Sequence, residues 1–250
     1  MPSIAIVGAG PRGISLVERL AAHLRAAPLA APLTLHIIDD APLGAGRIWD
    51  TEQTRTLCMN TLAGAVTLFT EPGSTTTAPV LEGPILYEWI QLLRGERPDL
   101  SPAKLELYDA FPPHEDLASS FAEELEQTRP ESNPSRALYG AYLEWVYEVA
   151  LAQLPKNVEV VEHRARARSV EDRGEQDVIT LSDDTTITAD ATVLAYGWQV
   201  PALSESERAL ADAAQSGLHW VRPDNPVEQP VSDVPAGEKV LVRGLGMGFF

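Results

Sequence analysis

Three glycines near the start of the chain, Gly8-Ala-Gly10-Pro-Arg-Gly13, constrain the fold more than any other feature. They follow the short apolar run Ile4-Ala-Ile-Val7, which suits a strand buried on both faces. They precede a stripe of Ile14, Val17, Leu20, Ala21 and Leu24 at helical spacing, which Pro28 and Pro32 bring to an end. A second apolar run, Leu33-Thr-Leu-His-Ile-Ile38, then leads into Asp39-Asp40. His36 within it reads as a packed or edge histidine. This is a strand–helix–strand unit, and such a crossover implies parallel strands. Each glycine then has a separate task. Gly8 lets the chain turn tightly, Gly10 lets a diphosphate approach the backbone, and Gly13 lets the helix lie close to the strand. The free N–H groups of the first helical turn, which Pro11 opens and in which Arg12 is the first donor, favour an anion there. An acid at the end of the second strand accepts hydrogen bonds from a ribose. Asp39, 26 residues after Gly13, is the favoured candidate and Asp40 the competitor, because strand alternation does not separate them. That carboxylate disfavours a 2′-phosphate.

Composition removes other classes of function. Among 250 residues, 36 acids face 19 bases, a formal charge of −17. Such a surface repels nucleic acid and anionic lipid, so anionic ligands need oriented backbone N–H groups or single arginines. With Cys58 as the one cysteine, neither a disulfide nor a cysteine-based zinc site forms within the chain. The five histidines show no metal-ligand spacing, so no metal is expected. There is no G-x-S-x-G elbow and no G-K-[ST] phosphate loop. No apolar run approaches membrane-spanning length and no leader pattern opens the chain, so the default compartment is the cytoplasm.

Residues 41–80 are rich in Gly, Thr and Pro, and irregular stretches of that length in a compact domain are usually functional. Helices are predicted over 86–93 and 115–127, and from Asn133-Pro-Ser135 along a stripe of Leu138, Tyr142, Trp145, Val149 and Leu154. A third parallel strand is predicted at 158–161. An antiparallel meander follows over 165–171, 177–181 and 185–188, and a buried-type strand over 191–196 ends at Gly197. The rest divides into a connector over 201–237 and a further strand at 239–242. The latter leads into Gly244-Leu-Gly246-Met-Gly248, an incomplete second nucleotide site carried by Gly244 and Gly246. The expected organisation is a nucleotide-binding domain over 1–200 with a helical insert at about 81–155, the connector, and the start of a truncated NAD(P)-binding domain over 238–250.

That succession resembles the flavoproteins with two dinucleotide-binding domains, in which FAD occupies the N-terminal one. The segment from Asp190 to Gly197 looks like their strand-plus-glycine returning to the cofactor, with Tyr196-Gly197 where Thr-Gly or Pro-Gly is usual. Four further segments narrow the resemblance: Pro42-Leu-Gly44-Ala-Gly46-Arg-Ile-Trp49, Leu57-Cys-Met-Asn60-Thr, Ser135-Arg-Ala-Leu-Tyr139 and Arg243-Gly-Leu-Gly246. They are similar to a bacterial, mostly actinomycete, group of FAD/NAD(P)-binding proteins, and the similarity covers nearly the whole chain. The resemblance implies an α/β, Rossmann-like FAD-binding domain with a central parallel sheet, helices and an antiparallel β-meander. It places Gly46, Arg47 and Trp49 along the FAD diphosphate and ribityl chain and Asn60 by the flavin ring. It sets backbone groups of Ala167 at the adenine, and Tyr196 and Gly197 where the chain returns to the cofactor. The implied activity is an FAD-dependent oxidoreductase, a monooxygenase or N-oxygenase of a small molecule with NAD(P)H as reductant. The alternatives are an NAD-dependent dehydrogenase with a single nucleotide domain and a non-catalytic nucleotide-binding module.

Overall fold

The computed structural model describes residues 1–75 and 79–243. The chain divides into two compact units, Met1–Gly197 and a second beginning at Trp198. The first unit opens with β1 (Ser3–Val7), α1 (Pro11–Ala26) and β2 (Leu33–Ile38). A helical region follows, with α2 (Leu86–Leu93), α3 (Pro102–Ala110), α4 (Leu117–Ser120), α5 (Ala122–Gln127) and α6 (Arg136–Ala152). The chain returns through β3 (Val158–His163), the meander β4 (Ala167–Asp172), β5 (Asp177–Leu181) and β6 (Thr186–Ala189), and β7 (Ala191–Leu194).

The parallel sheet has the order β3-β2-β1-β7, in register Ile4↔Leu35 and Ile4↔Ala191 about the central β1. Alternation along β1 sorts its side chains between two cores. Ile6, with Leu35 and Ile37 of β2, packs against Ile14 and Val17 of α1 and against α6. Ala5 and Val7, with Ile38, lie under Ile179, Leu181, Ile187 and Ala189 of the antiparallel β4-β5-β6 sheet. The fold is therefore α/β, with helices on one face of the parallel sheet and the meander on the other. The run Ile4–Val7 is apolar throughout because both faces are covered. His36 and His163, side by side on β2 and β3, share a hydrogen bond at 3.0 Å, and burial lowers the pKa of both.

The helical region differs from expectation in two places. The helix predicted over 115–127 is broken at Phe121 into α4 and α5. Helix α3 was not predicted, because its nine residues carry almost no amphipathic stripe. Its start is nevertheless written in Ser101-Pro102, a side-chain cap on the Lys104 N–H followed by a first-turn proline. In the second unit, the segment read as a connector contains α7 (Glu205–Ala214). The overlooked signal is a capping box, in which Ser204 caps the Glu207 N–H and the Glu207 carboxylate accepts from the Ser204 N–H. The strand expected at 239–242 is not formed. Those residues are exposed and have no ladder partner among the described residues, so their apolar run lacks the neighbour that makes a strand. Gly244 and Gly246, assigned to a second nucleotide site, lie outside the described residues. Among the described residues, no helix is long and apolar enough to cross a membrane.

Candidate nucleotide site

β1 lies between β2 on one side and β7 on the other, so the crevice beyond its carboxyl end is the topological switch point of the sheet, where ligands of open α/β folds bind. The glycine loop occupies that crevice. Gly8 has φ +102°, and a Cβ there would lie 2.4 Å from the Ala195 carbonyl oxygen. Its N–H donates to the Ile38 carbonyl at 2.8 Å, and the Ala195 N–H donates to Val7 at 2.7 Å. Gly8 thus joins the ends of β1, β2 and the chain leaving β7, which brings the Ala195 and Tyr196 backbone against the glycine loop, with Gly197 next along the chain. Gly13 is pressed against Gly8: a Cβ on Gly13 would sit 2.1 Å from the Gly8 carbonyl oxygen.

Gly10 behaves differently. It is the N-cap of α1, makes no side-chain cap, and a Cβ added to it meets nothing nearer than the Gly46 Cα at 4.0 Å. The protein's own packing does not require glycine there, yet the space above the first turn of α1 stays open. Gly46, at φ +63°, faces Gly10 from the other side. The loop carrying it is anchored by hydrogen bonds from Gly44 N–H to Ala9 (2.8 Å) and from Gly46 N–H to Pro42 (2.7 Å). Two side-chain-free residues therefore line a cradle over a helix N-terminus whose first-turn N–H groups have no side-chain cap. That is the donor arrangement a diphosphate needs.

The two acids after β2 have separate fates. Asp39 Oδ2 accepts the Ala9 N–H at 2.7 Å and Oδ1 accepts the Ala41 N–H at 2.9 Å, so this carboxylate is clamped on the glycine loop. A carboxylate has about four acceptor positions, which leaves room for sugar hydroxyls. Asp40 is exposed and pairs with Arg166 at 2.9 Å. Ala167 begins β4 and pairs with Leu181 next to an irregularity in the ladder. Pro11 fills the first position of α1, where its missing N–H is harmless, and Arg12 is exposed in that first turn.

The Gly44–Trp49 loop lies along α6. A Cβ on Gly44 would lie 2.8 Å from the Glu144 Cα, and one on Gly140 would lie 1.7 Å from the Trp49 carbonyl oxygen. The Trp49 ring meets the Tyr139 ring edge-on at 4.8 Å, and the Arg136 guanidinium lies 5.7 Å from the Trp49 ring centre. Gln53 closes the loop by donating to the Ile48 and Asp50 carbonyls at 3.0 and 2.9 Å. Arg47 is half-buried and already engaged. Asn60 is exposed, one residue past Met59, whose N–H bonds the Pro134 carbonyl at 2.8 Å. It belongs with the start of α6 rather than with the glycine loop. Gly140 and Gln53 were not singled out from sequence. A glycine inside the helical stripe of α6 was the available signal for the first, since such a glycine usually marks a close backbone approach.

Glu144, behind this loop, is pushed up to about 7 by burial and by the carboxylates of Asp50, Glu148 and Glu52, with Arg164 acting the other way. An unfolded chain ionises this group near the ordinary glutamate value, so between roughly pH 4.5 and 7 the folded protein holds a proton that the unfolded one has lost. The Glu144 contribution to stability therefore falls as pH rises through that window. Glu144→Gln is expected to raise the melting temperature by a few degrees at pH 8 and to change it little at pH 4.5. Thermal melts of both proteins at the two pH values check this.

Comparison with known proteins shows the family. A family model described as FAD-NAD(P)-binding matches residues 5–199. The chain is 38% identical to a nitrosuccinic acid synthase of Aspergillus oryzae, over 99% of this chain and 34% of that protein. It is 37% identical to an L-aspartate N-monooxygenase (nitrosuccinate-forming) of Streptomyces cremeus, over 99% of this chain and 36% of that protein. A further L-aspartate N-monooxygenase, from Streptomyces davaonensis, is 34% identical over 99% of this chain and 37% of its own length. The chain thus spans about a third of the length of the curated relatives it matches.

Proposed function

The chain belongs to the FAD/NAD(P)-binding family, and from that premise we propose that it carries the FAD-holding part of a flavin-dependent N-monooxygenase. NAD(P)H is the reductant and the amino group of a small acidic amino acid of the aspartate type is oxygenated. The observation that carries the cofactor assignment is the Gly10–Gly46 cradle over the uncapped start of α1. The substrate class is supported by the identity to relatives that act on L-aspartate. The setting that fits this chemistry is cytoplasmic.

Each residue has a task in this reading. Gly10 and Gly46 leave room for the diphosphate, which the first N–H groups of α1 hold, with Arg12 at the rim. Asp39 fixes the glycine loop and accepts from the ribose, while Asp40 serves the ion pair with Arg166. Ala167 offers backbone groups at the adenine end. Tyr196 and Gly197 close the crevice beside Gly8, and Arg47, Trp49 and Asn60 follow the cofactor toward its flavin end. When bound, FAD supplies two-electron transfer and activation of O₂, and the chain supplies placement and electrostatics. An NAD-dependent dehydrogenase with one nucleotide domain leaves the Gly44–Trp49 loop without a task.

The test begins with the absorption spectrum of the purified protein, which is expected to show flavin bands and to release FAD on denaturation. A colourless protein that binds NAD instead overturns the proposal. L-Aspartate, NADPH and O₂ supplied to the enzyme that contains this chain test the reaction. Asp39→Ala is expected to weaken FAD retention about 100-fold, since it removes two charge-assisted hydrogen bonds from the loop as well as the ribose contact. Asp40→Ala is expected to change retention less than about threefold, because an exposed ion pair contributes little. Flavin titration of both variants measures the difference.

A further inference from the structure

We propose that Arg136 is the residue that recognises the side-chain carboxylate of the amino-acid substrate, an inference that rests on the reaction class proposed above. Arg136 is the first residue of α6. A cation there opposes the helix dipole, and the Glu124 carboxylate at the same helix start offsets part of that cost. Some arginines of the same unit hold acids, Arg97 with Asp109, Arg166 with Asp40, Arg168 with Asp184 and Arg173 with Glu171, while others rest on an amide, a ring or carbonyls, as Arg25 on Gln153, Arg55 on Phe121 and Arg129 on Glu126. Arg136 has no carboxylate partner among the described residues. Glu124, the carboxylate at this helix start, has both oxygens engaged by the Ser135 N–H (2.6 Å) and hydroxyl (2.9 Å).

The guanidinium is nevertheless held in place. Its plane approaches the Trp49 ring at 5.7 Å, and Nε donates to the Cys58 carbonyl at 3.4 Å. That leaves the two terminal nitrogens, the pair that grips a carboxylate in bidentate fashion. Its place along the loop separates it from the phosphate cradle. The loop meets α6 at Glu144 through Gly44 and at Gly140 through Trp49, so it runs toward the start of the helix. Eight residues from Glu144 to Arg136 are about 12 Å of helix. Arg136 thus stands at the far end of the loop from Gly10 and Gly46, against the Leu57 and Cys58 carbonyls, out of the diphosphate's reach. In a chain of charge −17 an acidic substrate needs such a single fixed cation.

The experiment uses the flavin-loaded enzyme. Arg136→Gln is expected to raise the KM for L-aspartate roughly 10- to 100-fold. The flavin spectrum and the rate of flavin reduction by NADPH without substrate should stay unchanged, and Arg136→Lys should recover part of the KM. An unchanged KM, or loss of flavin from both variants, overturns the assignment. Should the wild-type enzyme oxygenate no acidic amino acid, the reaction proposal fails, and the carboxylate site is read separately by titrating succinate against the flavin absorption. A spectral change seen in the wild type and abolished in Arg136→Gln upholds the site, and its absence in both overturns it.

Discussion

Gly10→Val is expected to yield a folded, soluble protein that has lost at least 100-fold in FAD affinity, whereas Gly13→Ala is expected not to fold. The two glycines are three residues apart in one motif, and the contrast comes from what surrounds them. Gly10 has extended backbone angles, φ −75° and ψ −167°, which valine adopts readily, and its missing Cβ would meet only the Gly46 Cα, at an ordinary 4.0 Å. A side chain there fills the gap toward Gly46 that a ligand needs. The missing Cβ of Gly13 points at the Gly8 carbonyl oxygen, 2.1 Å away, inside the contact between α1 and the end of β1. Neither atom can yield without parting helix from sheet, and overpacking of that kind costs several kcal/mol, a large part of a domain's stability. Circular dichroism melts separate folding from binding, and flavin content of the purified proteins gives the second readout. Equal loss of FAD with equal loss of structure in both variants contradicts this division of labour.

The second large effect concerns Gly140. Gly→Ala within a helix ordinarily stabilises by about 1 kcal/mol through helix propensity. At Gly140 the sign is expected to reverse. The new methyl would fall 1.7 Å from the Trp49 carbonyl oxygen, so either α6 or the Gly44–Trp49 loop must move. The loop is the weaker partner, since Gln53 and a few backbone hydrogen bonds hold it, while α6 is packed throughout the main core. Its displacement withdraws Gly46 from Gly10 and opens the cradle. Gly140→Ala is therefore expected to melt lower than the parent and to purify without flavin. A higher melting temperature with full flavin content would show that the loop does not rest on α6.

These contrasts explain what could be read in advance. Local signals were legible: the strand–glycine–helix start at Gly8–Gly13, the apolar Leu86–Leu93 helix and the Asp177–Leu181 hairpin strand all appear at or near their expected positions. Local signals were also present but overlooked at α3 and α7, whose starts are marked by Ser101-Pro102 and by the Ser204–Glu207 capping box. Other features were not local at all. Asp39 and Asp40 are adjacent acids, distinguished by the backbone N–H groups of Ala9 and Ala41 on the first and by Arg166 on the second. Gly140 and Arg136 both meet Trp49, about 90 positions earlier in the chain, a contact that no local pattern announces. The apolar 239–242 segment shows the converse: β-propensity without a neighbouring strand does not make a strand.

The ladder between β1 and β7 joins Ile4 to Ala191, and Gly8 turns against Ala195. During synthesis at about 5–20 residues per second, on the order of 10–40 s separate the emergence of these partners from the ribosome. Over that interval the newborn glycine loop has β2 to lean on but lacks its other flank. The crevice at the carboxyl end of β1 is thus among the last features of this unit to be completed, and on the proposed function flavin loading follows the translation of Ala195.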